Sequence, residues 1–362
     1  MSNLLDEARK IINEVDAEMA GLFEKRMRAA EMVAEFKSTH GMKILDPRRE
    51  QEVINKGAER INDEVLRSYY IEFLKNTMAI SRSYQERLLF GMKVAYSGTE
   101  GAFAHIAASR LYPTARKVAY GDFISAYRAV EDGECDIAVL PIENSSNGEV
   151  GQVTDLMFSG SLYINGISEL TVSHDLVGTQ DATLDGVTEV VSHPQALGQC
   201  ASFIHERNLL QREYANTALA AKFVKENGDP SVAAIASAEA ARHFGLKVLL
   251  RDINESKTNT TRFAVFSRSL HEHKTSEMGV HTVLLFTVRN EAGALAKAID
   301  IIGKHGFNMR TLRSRPMKEL LWQYYFYVEA EGNIYTDEGT KMLEELKQYC
   351  DRLKPVGTYI KD

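Results

Sequence analysis

The sequence contains few of the residues that stabilise small extracellular proteins. Its 362 residues include 3 Cys and 7 Pro. Cys135, Cys200 and Cys350 are far apart and lie in no CxxC motif, which disfavours both a disulfide framework and a cysteine-based metal site. With 24 Gly, the chain also lacks the composition of collagen-like or low-complexity proteins. These absences predict an ordinary globular protein in a reducing compartment.

Long apolar runs and an excess of positive charge are also absent. No window approaches the roughly 18 apolar residues that a membrane span needs. The first residues, MSNLLDEARK, interleave acidic and basic side chains, unlike a secretory signal. The formal net charge is -7, whereas a general nucleic-acid binder carries a basic stripe. We therefore expect a cytoplasmic protein whose partners include neither a membrane nor a nucleic acid.

The length predicts two or three domains. Residues 1-90 are predicted to be helical, because apolar residues recur at spacings of three and four from Leu4 to about Thr39. Two further helices are expected over Pro47–Ile61 and Asp63–Leu89. The first helix would be about 50 Å long, too long for the other two to cover its apolar face. An intertwined homodimer is the expected solution, with a higher homo-oligomer left open.

The rest of the chain alternates strands and helices. Residues 92-268 contain KVAY, DIAVLP, EVVS, AAIA and FAVFS, which are predicted as buried strands between helices. This alternation predicts an α/β domain with mostly parallel strands. Residues His271–Gly279 are polar and rich in turn formers, which is typical of a linker. Residues 280-362, including the strand WQYYFYVE, follow the ferredoxin-like order βαββαβ.

Cations of the first helix are spaced so that two of them share a face. Arg26 and Lys37 are eleven residues apart and lie within about 20° of each other around a helix. Arg9 lies about 100° away from Arg26, so it joins the same pocket only if another copy of the helix supplies it. Each cation by itself is equally well explained by a solvated helix surface with weak ion pairs.

Further polar residues of this segment occur in pairs four apart, which a helix presents side by side. With the cations they form the pattern R-x6-D-x9-R-x10-K-x8-D-x2-R-E, followed by S-x3-Q. This pattern resembles the all-helical chorismate mutase family over residues 1-90. The matching positions are Arg9, Asp16, Arg26, Lys37, Asp46, Arg49, Glu50, Ser81 and Gln85.

The chorismate mutase resemblance implies a role for each position. The family rearranges chorismate to prephenate, a pericyclic step that needs positioning and charge complementarity rather than a nucleophile. By resemblance, Arg26 and Arg9 of the partner subunit would bind the two substrate carboxylates. Lys37 and Gln85 would donate to the ether oxygen, where negative charge develops. Glu50 and Asp46 would hold the substrate hydroxyl and order the cations, and Ser81 would bind a carboxylate.

Four motifs in residues 92-268 each adjoin a predicted strand. They are YSGTEGAF (Tyr96–Phe103), PIENSSNGEV (Pro141–Val150), SHPQALGQC (Ser192–Cys200) and NTTRF (Asn259–Phe263). Ligand-binding loops of α/β sheets lie at such strand ends, although each motif alone is equally typical of a turn or a helix cap. In this order they resemble prephenate dehydratase, whose usual GPEGTFS is replaced here by GTEGAFA.

The dehydratase resemblance also implies roles. That family converts prephenate to phenylpyruvate with loss of carbon dioxide and hydroxide, which requires a proton donor and a clamp on the carboxylates. By resemblance, Thr261 is the catalytic hydroxyl and Arg262 the carboxylate partner. The pocket would be completed by Asn144, Ser145 and Gln195. Glu143 and His193 are left open as acids or orienting groups, and neither a metal nor an organic cofactor is implied.

The last segment contains NEAGALAKAI (Asn290–Ile299) and NMRTLRSRP (Asn308–Pro316). Both resemble the ACT domain attached to prephenate dehydratases, in which phenylalanine binds at a subunit interface. The residues that would hold this effector are Gly293, Ala294, Leu295 and Asn308. Arg313 stands where the family commonly has the Glu of ESRP, which leaves the strength of feedback open. Inhibition requires that phenylalanine bind one of two conformations better.

The three resemblances are metabolically coherent, because the first product is the second substrate. Together they resemble the bifunctional enzymes of L-phenylalanine biosynthesis. The expected fold has three domains: an all-helical intertwined dimer, a two-lobed α/β domain like the periplasmic binding proteins, and a ferredoxin-like βαββαβ domain. Two alternatives stay open. Residues 92-268 could be a solute-binding or sensor module in which Thr261 and Arg262 hold an anion without turnover, or one domain could be only a scaffold.

Overall fold

The computed structural model describes residues 2–256, 258–272, 278–317 and 323–361. The chain divides into two compact units, Met1–Lys93 and Val94–Asp362, here called the helical unit and the α/β unit. Residues 273–277 of the predicted linker and Trp322, the predicted first residue of a strand, lie outside the described residues. Within the described ranges, no helix is both long and apolar enough to cross a membrane.

The helical unit confirms the predicted helices. Its described residues form α1 (Ser2–Thr39), α2 (Pro47–Ala58) and α3 (Glu64–Phe90). The side chain of Asp46 accepts the backbone N–H of Arg49 at 3.0 Å and so begins α2, which has a proline in its first turn. Asp63 begins α3 in the same way. The helix α2 ends at Ala58, three residues before the predicted end.

Much of α1 is uncovered in the single chain. Its second half packs against α3 through Met27, Ala30 and Ala34. In its first half, every described side chain up to residue 25 is exposed, and the exposed fractions of Leu4 and Leu22 are 76% and 65%. A continuous apolar face of this size normally lies against another helix.

The α/β unit contains the remaining elements in its described residues. The strands are β1 (Lys93–Ser97), β2 (Arg116–Tyr120), β3 (Ile137–Asn144), β4 (Gly148–Glu149), β5 (Tyr163–Thr171), β6 (Asp175–Gly178), β7 (Glu189–Ser192), β8 (Leu210–Glu213), β9 (Val232–Ala236), β10 (Lys247–Leu250), β11 (Thr260–Ser267), β12 (Val280–Val288), β13 (Asn308–Pro316), β14 (Tyr324–Glu331) and β15 (Cys350–Ile360). The helices are α4 (Phe103–Leu111), α5 (Phe123–Glu131), α6 (Gly151–Ser159), α7 (Pro194–Gln199), α8 (Ala201–Glu206), α9 (Thr217–Asn227), α10 (Ala238–Phe244), α11 (Ala294–Lys304) and α12 (Asp337–Tyr349).

These strands form a larger sheet, in the order β13-β14-β12-β15-β5-β11-β3-β1-β2 with β4 beside β3, and a smaller sheet, in the order β10-β6-β9-β7-β8. The five predicted strands of residues 92-268 are confirmed as β1, β3, β7, β9 and β11. Among the described pairs of this segment, β1–β3, β7–β8 and β7–β9 are parallel. The pairs β11–β3, β11–β5, β6–β9, β6–β10 and β3–β4 are antiparallel, so the prediction of mostly parallel strands is wrong. The chain leaves the larger sheet after β5, builds the smaller sheet and returns through β11. This double crossing produces the predicted two lobes.

The C-terminal part follows the predicted βαββαβ order. Its strand order β13-β14-β12-β15 is antiparallel throughout, as in ferredoxin-like folds. It shares one hydrophobic core with the preceding segment, in which Leu140 and Phe266 cluster with Leu285. The larger sheet is continuous because Gly357 of β15 pairs with Ile164 of β5. Gly357 has a φ of +153°, and a Cβ there would lie 2.0 Å from the carbonyl oxygen of Ile164.

Candidate active sites

In the helical unit, three of the predicted residues meet between α1 and α3. Arg26 Nη1 donates to Ser81 Oγ and, at 3.3 Å, to the carbonyl oxygen of Thr77. Gln85 is buried, and its Nε2 donates to the carbonyl oxygen of Ser81 at 3.2 Å. Gln85 Oε1 is buried without a hydrogen-bond partner among the described residues. A buried amide atom left unpaired is costly, and a polar ligand at this site would satisfy it.

Lys37 lines a second part of the same unit. Its Nζ donates to the carbonyl oxygen of Ile44, and it borders a cavity of about 500 Å³ together with Glu86 and Phe90. Burial lowers the pKa of Arg26 from its ordinary value of 12.5, which leaves the guanidinium charged at neutral pH. Arg26 contacts Ser81 of α3 and Lys37 shares a cavity with Glu86 of α3, so both cations lie on the side of α1 that faces α3.

The other predicted residues of this unit have different surroundings. Asp46 caps α2, and Glu50 forms an ion pair with Arg82. Arg9 is exposed, and its Nη1 lies 3.9 Å from Asp6 Oδ1. Seventeen residues of one helix separate Arg9 from Arg26, which is about 25 Å along the axis. One chain therefore does not bring these two arginines together.

The α/β unit has a cavity of about 410 Å³ between its two lobes. Apolar residues, including Phe103, Phe123 and Pro141, line one part of it, and the polar residues that line it include Asn144, His174, Gln195, Gln199, Asn259 and Thr261. The helices α4, α6 and α9 begin at its wall, after Ala102, Val150 and Asn216. Helix N-termini carry partial positive charge and free N–H groups. These helix N-termini can bind an anionic ligand, although the described lining residues include the carboxylate of Glu149 and neither a Lys nor an Arg.

A chain of hydrogen bonds runs along the polar wall. Asn144 Nδ2 donates to Thr261 Oγ1 at 2.9 Å and to Asn259 Oδ1 at 2.8 Å. Asn259 Nδ2 donates to Gln199 Oε1 at 3.1 Å. Gln199 Oε1 also accepts from His174 Nε2 at 2.9 Å. Because Thr261 uses a lone pair of its hydroxyl in this chain, its O–H is available to a ligand.

Burial holds His174 as a neutral imidazole, and its contact with Gln199 fixes which nitrogen carries the proton. Its Nε2 carries the proton because Gln199 Oε1 only accepts, and its buried Nδ1 has no partner among the described residues. Burial lowers the pKa of His174, although the bond to Gln199 and the nearby Asp175 act in the opposite direction. His174 is therefore uncharged near neutral pH.

Ser145 and His193 have local structural contacts. Ser145 Oγ donates to the carbonyl oxygen of Thr258 and accepts from the backbone N–H of Thr260, both at 2.9 Å, and it is not among the residues that line the cavity. His193 caps α7 by accepting the backbone N–H of Gln195 at 3.3 Å. His193 and Gln195 both line the cavity.

Arg262 lies away from this cavity, contrary to its predicted role as the carboxylate partner. Successive residues of a strand point to opposite faces, so Arg262 leaves the face of β11 opposite to Thr261. It binds Glu329 of β14 through two hydrogen bonds, of 2.7 and 3.0 Å, and lies 3.2 Å from Glu143. Glu143 also pairs with Arg313 of β13. Glu143 is therefore not placed as an acid beside the cavity either.

Gln199, Asn259 and His174 line the cavity but were not among the predicted site residues. Two signals point to them. Gln199 and Asn259 belong to the quoted motifs SHPQALGQC and NTTRF, and Gln199 lies four residues after Gln195 in α7, the spacing of one helix face. His174 lies in the short connection between β5 and β6 and directly precedes β6, and side chains at strand ends reach a cleft.

The predicted effector residues lie at two ends of one helix. Gly293, with a φ of +84°, precedes α11, and Ala294 and Leu295 open it. Asn308 begins β13 beyond the other end, where its Nδ2 donates to Glu331 Oε2 at 2.8 Å. The helix has 11 residues and is therefore about 16 Å long. Within one chain these residues form two separate groups.

Comparison with known protein families and relatives gives matches along the whole chain. The chorismate mutase type II family matches residues 8–86, and the prephenate dehydratase family matches residues 94–270. A bifunctional chorismate mutase/prephenate dehydratase of Aquifex aeolicus (strain VF5) is 32% identical over 366 residues, which cover 99% of this chain and 98% of that protein.

Two solved structures resemble the chain with a TM-score of 0.69 each. One, described as GqqA, a novel type of quorum quenching acylase, is 31% identical and matches 75% of this chain and 98% of that chain. The other is a prephenate dehydratase from Arthrobacter aurescens in complex with L-Phe, which is 25% identical and matches 75% of this chain and 90% of that chain.

Proposed function

The chain belongs to the bifunctional chorismate mutase/prephenate dehydratase family, and we propose that it catalyses the two reactions at separate sites. Residues 1-90 rearrange chorismate to prephenate. Residues 92-268 convert prephenate and a proton to phenylpyruvate, carbon dioxide and water. Residues 280-362 bind phenylalanine as a feedback effector. The hydrogen bond between Asn144 and Thr261 inside the cavity is the observation that best supports the dehydratase site.

The mutase site is proposed to work by charge complementarity. Arg26 and Arg9 of the partner subunit bind the two carboxylates of chorismate, with Ser81 beside Arg26. Lys37 and Gln85 stabilise the negative charge that develops on the ether oxygen. Gln85 Nε2 has two N–H groups, of which one donates to the carbonyl oxygen of Ser81, so the second can serve the substrate.

The acidic residues of the mutase site are proposed to hold the substrate hydroxyl. Glu50 lies in the first turn of α2, and Asp46 caps that helix. Asp46 therefore fixes the turn from which Glu50 reaches the site. Glu50 also pairs with Arg82, and its carboxylate is proposed to accept a hydrogen bond from the substrate hydroxyl.

A homodimer is proposed because the single chain lacks a complete mutase site. Arg9 is exposed and about 25 Å from Arg26 along α1, so a second copy has to supply it. The exposed apolar residues of α1, with Leu4, Ile11 and Leu22 at 76%, 56% and 65% exposure, offer a second copy of the helix a continuous face to pack against.

In the dehydratase site, Thr261 is proposed as the proton donor. Its O–H protonates the departing hydroxyl of prephenate, which leaves as water when the C–O bond breaks. The bond to the carboxylate breaks at the same time, releasing carbon dioxide, and its electron pair completes the aromatic ring. Thr261 then regains a proton from solvent, which is the proton consumed in the overall reaction. Asn144 fixes the orientation of Thr261, and Gln195 binds the substrate from the opposite lobe. The helix N-termini bind the carboxylates in place of a cation.

The proposed effector site lies between two copies of the C-terminal part. Gly293 and Leu295 of one copy offer N–H groups at the start of α11, and Ala294, whose N–H donates to the carbonyl oxygen of Glu291 at 3.2 Å, lies between them. Within one chain, Asn308 lies about 16 Å from the beginning of α11. Asn308 of the other copy would therefore complete the site. The L-Phe bound to the Arthrobacter aurescens enzyme supports this assignment by similarity.

The test is a time course on purified protein supplied with chorismate, in which chorismate, prephenate and phenylpyruvate are measured. We expect Thr261→Ala to stop phenylpyruvate formation and spare prephenate formation. Arg26→Ala should stop prephenate formation from chorismate but still convert separately added prephenate to phenylpyruvate. Thr261→Ser, which keeps the hydroxyl, is the matched control and should retain dehydratase activity. If wild-type protein binds prephenate without turnover, the sensor alternative is correct. If one variant abolishes both activities in folded protein, the two sites are not separate.

A further inference from the structure

A cluster of charged residues lies on the face of the larger sheet opposite the dehydratase cavity. This reverse-face cluster consists of Glu143, Arg262, Arg313, Glu329 and Tyr359. It joins β3 and β11, which carry the proposed catalytic pair, to β13, β14 and β15 of the C-terminal part. Residues 92-268 and 280-362 are thus connected directly behind the cavity.

The register of β3 and β11 aligns the cluster with the catalytic pair. Thr261 is opposite Asn144 and Arg262 is opposite Glu143, and the register shifts immediately after Arg262. Such bulges often re-aim side chains beside active sites. Each catalytic residue is therefore the direct chain neighbour of a cluster residue, and a displacement of Glu143 or Arg262 is transmitted to Asn144 or Thr261 through one peptide unit.

The C-terminal part fixes Arg262 firmly. Glu329, whose side chain is 4% exposed, accepts both hydrogen bonds of the guanidinium, and Arg262 Nη2 also donates to Tyr359 Oη at 3.1 Å. Burial acts to raise the pKa of Glu329, but the contacts with Arg262, Tyr359 and Tyr327 together outweigh it and the pKa is lowered. A bidentate, charged and buried pair permits little movement, and it anchors β11 to β14.

Glu143 contacts two arginines, so neither of them alone fixes the position of its carboxylate. Its Oε2 lies 3.2 Å from Arg262 Nη1, and its Oε1 accepts from Arg313 Nη2. Arg313 is on β13, the strand that begins with Asn308 of the proposed effector site. The guanidinium of Arg313 also lies 5.8 Å from the ring of Tyr327. A shift of β13 therefore alters the contact between Arg313 and Glu143 while the Arg262–Glu329 pair stays in place.

We propose that the reverse-face cluster positions the Asn144–Thr261 pair, and that Arg313 couples the rate of the dehydratase reaction to the position of β13. The inference rests on the proposed function, because it concerns the same dehydratase site. Arg313 is a positioning residue: it acts on Asn144 through Glu143. Loss of its contact displaces Asn144, lengthens the bond to Thr261 and lowers kcat, because reaction rates are sensitive to misplacements well below 1 Å.

The test compares Arg313→Ala with Arg310→Ala in the full-length protein. Arg310 is on the same strand and pairs with Glu331 of β14, a contact that involves neither β3 nor β11. We expect Arg313→Ala to lower the dehydratase kcat by roughly 3- to 30-fold, with little change in KM for prephenate. Arg310→Ala should leave kcat unchanged. Chorismate mutase activity of each variant serves as the internal control for folding and concentration.

Two further variants make the result specific. Arg313→Lys, which keeps a cation near Glu143, should recover part of the lost kcat. In a Glu143→Gln background, Arg313→Ala should have no additional effect, because the acceptor that transmits it is gone. With phenylalanine added, Arg313→Ala should be inhibited less than wild-type protein.

The inference is overturned if Arg313→Ala behaves like Arg310→Ala, or if its effect persists undiminished in the Glu143→Gln background. It is also overturned if mutase and dehydratase rates fall together, since that indicates general destabilisation. Failure of the proposed function would look different: wild-type protein would form no phenylpyruvate from prephenate, and every variant would be equally inactive in that assay.

Discussion

Asn144 Nδ2 donates a 2.9 Å hydrogen bond to Thr261 Oγ1, although 117 positions separate the two residues in the chain. The antiparallel pairing of β3 and β11 places them opposite each other. The bond fixes the hydroxyl through one of its lone pairs, so the O–H is presented to a substrate rather than consumed in the protein. The dehydratase site therefore depends on a strand that returns from the second lobe.

Gln199 is predicted to support this arrangement from the opposite lobe. Its Oε1 accepts from both Asn259 and His174, so Gln199→Ala leaves two buried donors unpaired and releases Asn259. We expect the dehydratase kcat to fall by about 10- to 100-fold, with prephenate formation from chorismate unchanged. Steady-state kinetics on prephenate and on chorismate measure the two effects.

The matched control for Gln199 is Gln180→Ala. Gln180 is an exposed glutamine of the same unit, and its Nε2 donates to the carbonyl oxygen of Gly245 at 2.9 Å, away from the cavity. The dehydratase activity of Gln180→Ala should equal that of wild-type protein. Equal losses in both variants would show that the hydrogen-bonded chain has no special role.

The sequence predicted the elements of this site better than its side-chain orientations. Strand alternation indicates that Thr261 and Arg262 point to opposite faces, but it does not tell which face borders the cavity. That choice depends on Glu329, a buried carboxylate more than sixty residues away that requires a cation as its partner. Long-range pairing of this kind leaves no local pattern in the sequence.

In the helical unit, by contrast, the sequence predicted the orientation of the side chains. The spacing of Arg26 and Lys37, read with the 3.6-residue period, predicted their common face, because both lie on one uninterrupted helix. The same arithmetic predicted that Arg9 cannot reach Arg26 within one chain. Local periodicity is sufficient when one regular element carries all the residues concerned, and it fails when separate strands have to meet.

Gly357 is predicted to be required for the continuity of the larger sheet. It has a φ of +153°, and an added Cβ would lie 2.0 Å from the carbonyl oxygen of Ile164. We expect Gly357→Ala to lower the free energy of unfolding of the α/β unit by about 2–4 kcal/mol. Urea denaturation followed by fluorescence measures this change.

Gly303→Ala is the control for the same substitution. Gly303 lies in α11, and a Cβ there meets nothing within 4 Å. Alanine is a better helix former than glycine, so the free energy of unfolding should rise by up to about 1 kcal/mol. If both variants destabilise equally, the close approach of β15 to β5 is not the cause.

His305 is predicted to make stability depend on pH. Hydrogen bonds to Glu345 and Glu338 raise the pKa of His305 above its ordinary value of 6.5. The protonated form is therefore favoured in the folded state. Its stabilisation is fully present below about pH 6.5 and is lost as the pH rises through the folded-state pKa.

The measurement is the free energy of unfolding of wild-type protein and His305→Gln at a series of pH values. The difference between the two should shrink as the pH rises. His174 and His281 have lowered pKa values and act in the opposite direction, but they are common to both proteins and cancel in the difference. A difference that does not vary with pH would contradict the prediction.

The most specific prediction concerns the shared mutase site. Arg9→Ala and Arg26→Ala should each be inactive as pure proteins, because either change removes one of the two carboxylate-binding arginines from every site. Co-refolding equal amounts gives hybrid dimers in half of the population. In a hybrid, one site combines the intact Arg26 of one chain with the intact Arg9 of the other, so about a quarter of all sites regain activity.

Mutase activity near a quarter of the wild-type value, measured by loss of chorismate, is therefore the expected result for the refolded mixture. Simple mixing without subunit exchange should give none, and this serves as the control. If Arg9 acted within its own chain, no combination of the two variants would contain a complete site, and the refolded mixture would stay as inactive as its components. If Arg9→Ala alone retained full activity, Arg9 would not be a substrate ligand in either arrangement.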